Sequence, residues 1–244
     1  MCLKVSNQAG TLFVVATPIG NLDDLSPRAA SVLDEVDLIA AEDTRHSKRL
    51  LSHIGVRKPM ISLHEHNETE AAERVITALK AGQNVALVSD AGTPLISDPG
   101  YPLVRAARSA GYRVVPVPGA NAAICALSAA GLPSDRFLFL GFPPRTRVRR
   151  REWFCSAAAE PGTLVFYEAG NRALAALEDL SAVLGGERRA VVARELTKRF
   201  ETFLDGTLDA LVQRLGEDPD QQKGEFVLLV EGNRNAGGPE REAV

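Results

Sequence analysis

Short, unbroken apolar runs recur along this chain, and segments with the period of a helix lie between them. Leu12–Ala16, Leu38–Ala41, Met60–Leu63, Val85–Val88 and Val114–Val117 are the first five runs. They do not alternate apolar with polar residues, which is the pattern of strands covered on both faces. The intervening helices have legible ends. Ser26-Pro27 places an N-cap residue before a proline at the first helical position and opens a helix to about Val36. Asn67 is placed to cap a helix over Glu68–Ala81, with acidic residues in its first turn and Gly82 as its stop. Strands alternating with helices predict a largely parallel sheet with helices on both faces.

A second series follows Gly141. Leu164–Tyr167, Ala190–Ala193, Thr202–Leu204 and Phe226–Val230 read as strands, and Ala173–Leu184 and Leu208–Leu215 as helices, the latter capped by Thr207. Pro143 and Pro144 interrupt regular structure in Gly141-Phe-Pro-Pro-Arg145. The expected division is therefore an N-terminal α/β domain over 11–141 and a C-terminal one over 142–232, with frayed, polar ends at 1–10 and 233–244.

Composition limits the class. With 244 residues, 45% of them hydrophobic, the chain can bury a sizeable core and is not dominated by disorder. Runs such as Leu12–Ala16 fall far short of the roughly 18–20 residues of a membrane span. No secretory leader is expected: Lys4 is not followed by an apolar core before Gly10. Cys2, Cys125 and Cys155 have no metal or redox spacing and read as reduced, cytosolic thiols. The net charge of −3 argues against a generally basic nucleic-acid binder but leaves room for a local patch.

Three Gly/Pro-rich loops follow predicted strands: Thr17-Pro-Ile-Gly-Asn21, Ser89-Asp-Ala-Gly-Thr-Pro94 and Pro118-Gly-Ala-Asn121. Ligands of open α/β sheets bind outside the carboxyl ends of the strands, and glycine lets a backbone approach them closely. The same loops also serve as plain strand-to-helix turns. Glu42-Asp43-Thr44-Arg45, at the end of the second strand, offers two carboxylates and a guanidinium that could bind or activate a hydroxyl, while Asp43 or Thr44 could equally cap a helix. His64-Glu-His66 invites a metal reading but has no third ligand at a recognisable spacing, so substrate contact or a surface loop is expected and no metal. Arg145, Arg147, Arg149, Arg150 and Arg151 fall within seven residues of a net-negative protein, which suits phosphate contact, with a solvated helical face as the alternative. Arg194-Glu-Leu-Thr-Lys198 and Lys223-Gly-Glu225 alone indicate salt-bridged strand ends. There is no GxGxxG, GxxxxGK[ST] or GxSxG, which argues against NAD enzymes, P-loop NTPases and nucleophile-elbow hydrolases.

Taken together, several stretches resemble one family in chain order from Leu12 to Gly232. They are Val15-Ala-Thr-Pro-Ile-Gly-Asn-Leu22, Ala41-Glu-Asp-Thr-Arg45, Ser89-Asp-Ala-Gly-Thr-Pro-Leu-Ile-Ser-Asp-Pro-Gly100, Pro118-Gly-Ala120, Gly141-Phe142, Tyr167-Glu168, Ala193-Arg-Glu-Leu-Thr-Lys198 and Lys223-Gly-Glu225. The sequence resembles the small-subunit ribosomal RNA methylases of the tetrapyrrole methylase superfamily. The resemblance implies a two-domain α/β fold, with a mostly parallel N-terminal sheet, a mixed C-terminal sheet and S-adenosylmethionine (SAM) in the interdomain cleft. It implies transfer of the SAM methyl group to the ribose 2′-hydroxyl of a decoding-region cytidine of 16S ribosomal RNA, in the cytoplasm, by a homodimer.

By position, the resemblance places Pro18, Gly20, Asn21, Asp90, Ala91, Gly92, Thr93, Pro94, Gly119, Ala120 and Asn121 at the cofactor, closed by Phe142 and Arg194. Asp43 or Glu195 would orient the hydroxyl or accept its proton, and Arg45, Arg194 and Lys198 would hold the neighbouring phosphate. The arginines at 145, 147, 149, 150 and 151 would face 16S rRNA or the small ribosomal subunit. The chain departs from the family at Asn171, where a histidine usually stands; Asn can replace a hydrogen bond but not a base. The alternatives are a methylase of a precorrin-like tetrapyrrole and a non-catalytic SAM-binding module.

Overall fold

A computed structural model describes residues 9–233 of the chain, which form two compact units that divide between Asn121 and Ala122. Cys2, Lys4 and most of the two expected frayed ends lie outside the described residues. The innermost part of each end is anchored rather than frayed. The Gly10 N–H donates to Leu79 O at 2.9 Å, and the Asn233 N–H to Glu160 O at 2.7 Å.

The first unit runs β1 (Thr11–Val15), α1 (Pro27–Glu35), β2 (Leu38–Ala41), α2 (Thr44–His53), β3 (Met60–Ser62), α3 (Glu68–Lys80), β4 (Val85–Val88), α4 (Tyr101–Ser109) and β5 (Arg113–Val117). Its sheet is wholly parallel, in the order β3-β2-β4-β1-β5. The continuous apolar runs are explained by two cores, one on each face. Val85 and Leu87 of β4 pack with Val75, Leu79 and Leu103 on one side. Ala86 and Val88 of the same strand pack with Leu33, Ile39 and Leu51 on the other. The two-residue period of a strand sends alternate side chains into different cores, so every position must be apolar. Ser26 caps α1 as its sequence predicts, accepting from the Ala29 N–H at 3.1 Å. Asn67 does not cap α3 with its side chain. Its amide is engaged upstream, donating to Ser62 O at 3.0 Å and accepting from the His64 N–H at 2.8 Å.

The second unit contains α5 (Ala122–Ala129), β6 (Phe137–Gly141), α6 (Arg147–Ser156), β7 (Thr163–Ala169), α7 (Ala173–Leu184), β8 (Arg189–Arg194), β9 (Thr202–Thr207), α8 (Leu208–Glu217) and β10 (Glu225–Val230). Its sheet is mixed, in the order β6-β7-β10-β8-β9; β6 and β7 are parallel and the other pairs antiparallel. Phe154, Phe166, Leu177, Leu180 and Leu211 form the centre of one core. The Phe154 and Phe166 rings meet edge to face with centroids 5.3 Å apart.

The units divide between Asn121 and Ala122, not at Gly141 as the proline pair suggests. The reason is β6, whose backbone pairs with β7 and so commits residues 137–141 to the second sheet. The Gly141–Arg145 segment is the connection from β6 to α6, and Gly141 takes a left-handed φ of 68° where the β6 register shifts. Among the described residues, no helix is long and apolar enough to cross a membrane.

Candidate functional site

The carboxyl ends of the first unit's strands feed the three glycine-rich loops, and hydrogen bonds join those loops into one wall. Thr17, only 3% exposed, forms an isolated antiparallel bridge with Gly92: the Thr17 N–H donates to Gly92 O at 2.8 Å, and the Gly92 N–H to Thr17 O at 3.1 Å. The Thr17 hydroxyl donates to Ser89 O at 3.2 Å, and the Thr93 hydroxyl to Ala120 O at 3.0 Å. The wall is built without side chains where it is tightest. A Cβ on Gly119 would sit 2.9 Å from the Ala16 Cβ, and one on Gly92 would sit 3.3 Å from Ile19 Cγ2 at a backbone φ of +81°. Asn21 closes the first loop by accepting from the Asp23 N–H at 3.1 Å. The structure thus assembles Pro18, Gly20 and Asn21 with the Asp90–Pro94 stretch and with Gly119, Ala120 and Asn121.

A fourth strand end joins this edge. The Asp43 N–H donates to Asp90 Oδ1 at 3.0 Å, and the Asp90 N–H donates back to Glu42 Oε2 at 3.3 Å. Asp43 caps α2, accepting from the Arg45 N–H at 2.8 Å and from the Arg45 guanidinium at 2.8 and 3.2 Å. Those hydrogen bonds hold its carboxyl well below the usual carboxylate range. Burial, aided by repulsion from the Asp90 and Glu65 carboxylates, raises Glu42 despite the lowering effect of the bond from the Asp90 N–H. Asp98, deeper in the same loop, is pushed up to about 7 by burial, with Glu42 and Asp90 adding repulsion. Its Oδ2 is buried without a hydrogen-bond partner among the described residues. The Ser89–Gly100 loop also holds Leu95 and Ser97 at left-handed φ values of 74° and 67°, conformations that cost roughly 1–3 kcal/mol each outside glycine.

The second unit ties its two charged stretches to one another. Lys198 Nζ lies 3.0 Å from Glu195 Oε1 and 2.7 Å from Glu225 Oε2, and Glu195 Oε1 also accepts from the Glu225 N–H at 2.9 Å. Burial acts to raise the Glu195 carboxyl, but its bonds to the Glu225 N–H and Lys198 outweigh it and hold it low. Gly224 makes the approach possible: a Cβ there would meet Glu195 Oε1 at 2.6 Å. Arg194 spends its guanidinium on backbone carbonyls of Lys223, Phe200 and Asp220, at 2.6, 3.3 and 3.1 Å. Arg194, Glu195 and Lys198 are therefore integral to a folded turn, in keeping with the salt-bridged strand end their sequence suggests. Phe142 is half exposed and packs edge-on to Tyr167, centroid to centroid 5.5 Å. Asn171 is exposed in a short turn before α7.

The arginine run is not uniform. Arg145, Arg147 and Arg149 are exposed and Arg151 half-buried, but Arg150 is only 6% exposed and points into the unit. Its guanidinium is consumed by Asp179 Oδ2, at 2.6 and 2.9 Å, and by the carbonyls of Arg145 and Ala175. Arg150 is thus a structural residue, a correction to its expected place facing RNA. A buried acid on α7 forces that role, and the local run around Arg150 carries no sign of it. Asp179 and Asp98 are the residues that sequence reasoning passed over. Asp98 stands inside a stretch read for its glycines, and Asp179 breaks the apolar face of an otherwise ordinary helix. His64 and His66 lie with ring centroids 6.0 Å apart; among the described residues no group of three His, Cys, Asp or Glu side chains is placed to hold a metal.

Comparison with known proteins places this architecture. The tetrapyrrole (corrin/porphyrin) methylases match residues 11–212. Solved structures with the same fold include diphthine synthase, at TM-score 0.69 and 18% identity over 91% of this chain and 90% of that one. The methyltransferase CobJ aligns at TM-score 0.68 and 20% identity over 92% and 95%. Ribosomal RNA small subunit methyltransferase I of Xylella fastidiosa is 59% identical over 223 residues, 91% of this chain and 82% of that protein. Its counterpart from Escherichia coli O157:H7 is 55% identical over 231 residues, 95% and 81%. The chain belongs to the tetrapyrrole methylases and, within them, to the family of ribosomal RNA small subunit methyltransferase I.

Proposed function

We propose that this protein is a SAM-dependent methyltransferase that modifies the ribose 2′-hydroxyl of a decoding-region cytidine in 16S ribosomal RNA, working as a cytoplasmic homodimer. The observation that supports the cofactor assignment is the loop wall, where Gly92 and Gly119 let the loop backbones close on Ile19 and Ala16 and Thr17 and Thr93 lock them together. Loops held together in this way at the carboxyl ends of parallel strands are where open α/β sheets take their ligands. The substrate assignment is drawn from the shared name of the relatives. The parts of Phe142 and Arg194 in cofactor binding rest on the resemblance.

The cofactor supplies an activated methyl group on a sulfonium, whose leaving group needs no assistance. The chain's task is then to position the hydroxyl, the largest lever for a bimolecular step. Asp43 is held anionic by its cap and by Arg45, and Glu195 by Lys198 and the Glu225 N–H. Carboxylates with lowered affinity for protons orient a hydroxyl better than they deprotonate it. Arg45, with its side chain 88% exposed, is available for a phosphate. Asp43→Asn and Glu195→Gln are each expected to keep the single-turnover rate within about tenfold of wild type; a loss of 10²-fold or more would make that residue the general base.

Transfer of labelled methyl from SAM to small ribosomal subunits lacking the modification, with naked 16S rRNA in parallel, tests the whole reading. Nuclease digestion and mass spectrometry are expected to locate the label on a cytidine 2′-oxygen. Transfer to a precorrin-like acceptor but not to RNA would move the assignment to small-molecule methylation. SAM binding with no transfer to either would make the protein a binding module.

A further inference from the structure

Three of the clustered arginines converge on a single buried carboxylate. Asp179 of α7 is 1% exposed. Its Oδ2 takes both contacts from Arg150, while its Oδ1 accepts from Arg147 Nε at 3.2 Å and from Arg151 Nε at 2.6 Å. Burial acts to raise the carboxyl, but the guanidinium hydrogen bonds outweigh it and keep it ionised. One negative charge cannot neutralise three positive ones, so the cluster retains two net positive charges. Their distribution is uneven. Arg150 spends its donors on Asp179 and on carbonyls inside the unit. Among the described residues, Arg147 and Arg151 each spend only the Nε–H, so the NH1 and NH2 groups of both are there for a ligand. The Arg147 side chain is 68% exposed and that of Arg151 39%.

The arrangement is unfavourable for the helix that carries it. These arginines occupy the first turns of α6, where the helix dipole disfavours cations, and no acidic residue sits in that first turn. What it achieves is orientation: a flexible cation pinned at Nε keeps its planar outer edge in one direction, the geometry that grips phosphate oxygens two at a time.

Building on the proposed action on ribosomal RNA, we propose that Asp179 is a positioning residue that fixes Arg147 and Arg151 as a paired clamp for the phosphodiester backbone. Arg150 is the internal brace of the clamp and does not touch the RNA. The ligand is a run of adjacent phosphates, recognised by charge and spacing and not by base.

Asp179→Asn gives the proposal an outcome with a definite sign. Removing a negative charge makes the patch more positive, so charge counting alone predicts tighter RNA binding. Positioning predicts the opposite: binding of a 16S rRNA fragment weakened about three- to tenfold despite the added positive charge. Equal or tighter binding by a folded Asp179→Asn protein overturns the inference. Should that variant fail to fold, the Arg147→Gln/Arg151→Gln double variant decides, because it leaves the buried Asp179–Arg150 pair in place. Its slope of log K against log salt is expected to be shallower by about 1.4, two single-strand phosphate contacts at roughly 0.7 each, in a protein that remains folded. An unmoved slope overturns the clamp. Methyl transfer to small subunits is measured alongside. If the wild type neither binds the fragment nor methylates subunits, the ribosomal reading fails; if it does both and the slope stays fixed, only the clamp fails.

Discussion

Replacing Asp98 by asparagine is expected to stabilise the protein by a few kcal/mol at most above pH 8 and to change little below pH 4. The native carboxyl titrates near 7, against an ordinary value of 3.8, because it is buried near Glu42 and Asp90. A gap of about three units sets an upper bound of roughly 4 kcal/mol, which the solvent reaching this partly exposed loop reduces. Its sign is opposite to that of a salt-bridged acid. Between pH 4 and 7 the folded state keeps a proton that the unfolded chain has lost, so wild-type stability falls as pH rises through this window. Above 7 the native carboxylate is charged and the full penalty stands. Asparagine keeps the shape and removes the charge, so the gap between variant and wild type widens over the same window. Denaturant unfolding of both proteins at pH 5 and pH 8 measures it; a difference equal at the two values would dismiss Asp98 as its origin. An ionisable group held at such expense, directly after Ser97 in a loop with two left-handed residues, is the strain that ligand-binding loops commonly store.

Gly100→Ala is the second large effect expected. Gly100 ends the same loop at a φ of +122°, and a Cβ there would meet Leu87 Cδ2 at 2.9 Å and Leu95 Cδ1 at 3.5 Å. Leu87 is a central core residue of β4 and cannot retreat. Conformational strain and overpacking together put the loss at about 2–4 kcal/mol. The Gly100 N–H also donates to Glu68 Oε1 at 2.6 Å, so displacing it unfastens the loop from α3. SAM affinity is expected to fall at least about tenfold through the loop's lost preorganisation. Gly111→Ala is the control, with a φ of +79° and open space around the added Cβ. It should cost only about 1–2 kcal/mol and leave SAM affinity alone. Equal losses of stability and affinity at both positions would show that the loop's contacts do not matter.

Much of the fold was legible because local and global signals agree. Ser26 and Thr207 cap the helices that their positions announce. The five apolar runs of the first unit became five parallel strands because a sheet sandwiched by helices needs apolar residues at every position. The second sheet, mostly antiparallel and also buried along β7, β8 and β10, shows the same run-like signal. Phe137–Gly141 was missed because it lies just before the proline pair, whose breaking effect is local, whereas strand pairing is decided at a distance. The loop wall was legible as glycine at strand ends. The partnerships Asp43–Asp90, Glu195–Gly224 and Arg150–Asp179 were not. Each joins residues distant in sequence, and composition around one partner carries no trace of the other.

The strand order of the first unit has a consequence for how the chain is made. β1 leaves the ribosome first, yet it lies between β4 and β5 and pairs with nothing earlier. At synthesis rates of about 5–20 residues per second, roughly 4–15 seconds separate its emergence from that of β4, the first of its two neighbours. Through that interval Leu12 and Val15, both fully buried in the finished protein, have no sheet to enter. β2 and β3, neighbours of each other in the finished sheet, emerge in that interval without offering β1 a partner. The nascent chain therefore carries an unpaired apolar strand until β4 arrives, a stretch of exposed leucine and valine that the finished sheet conceals.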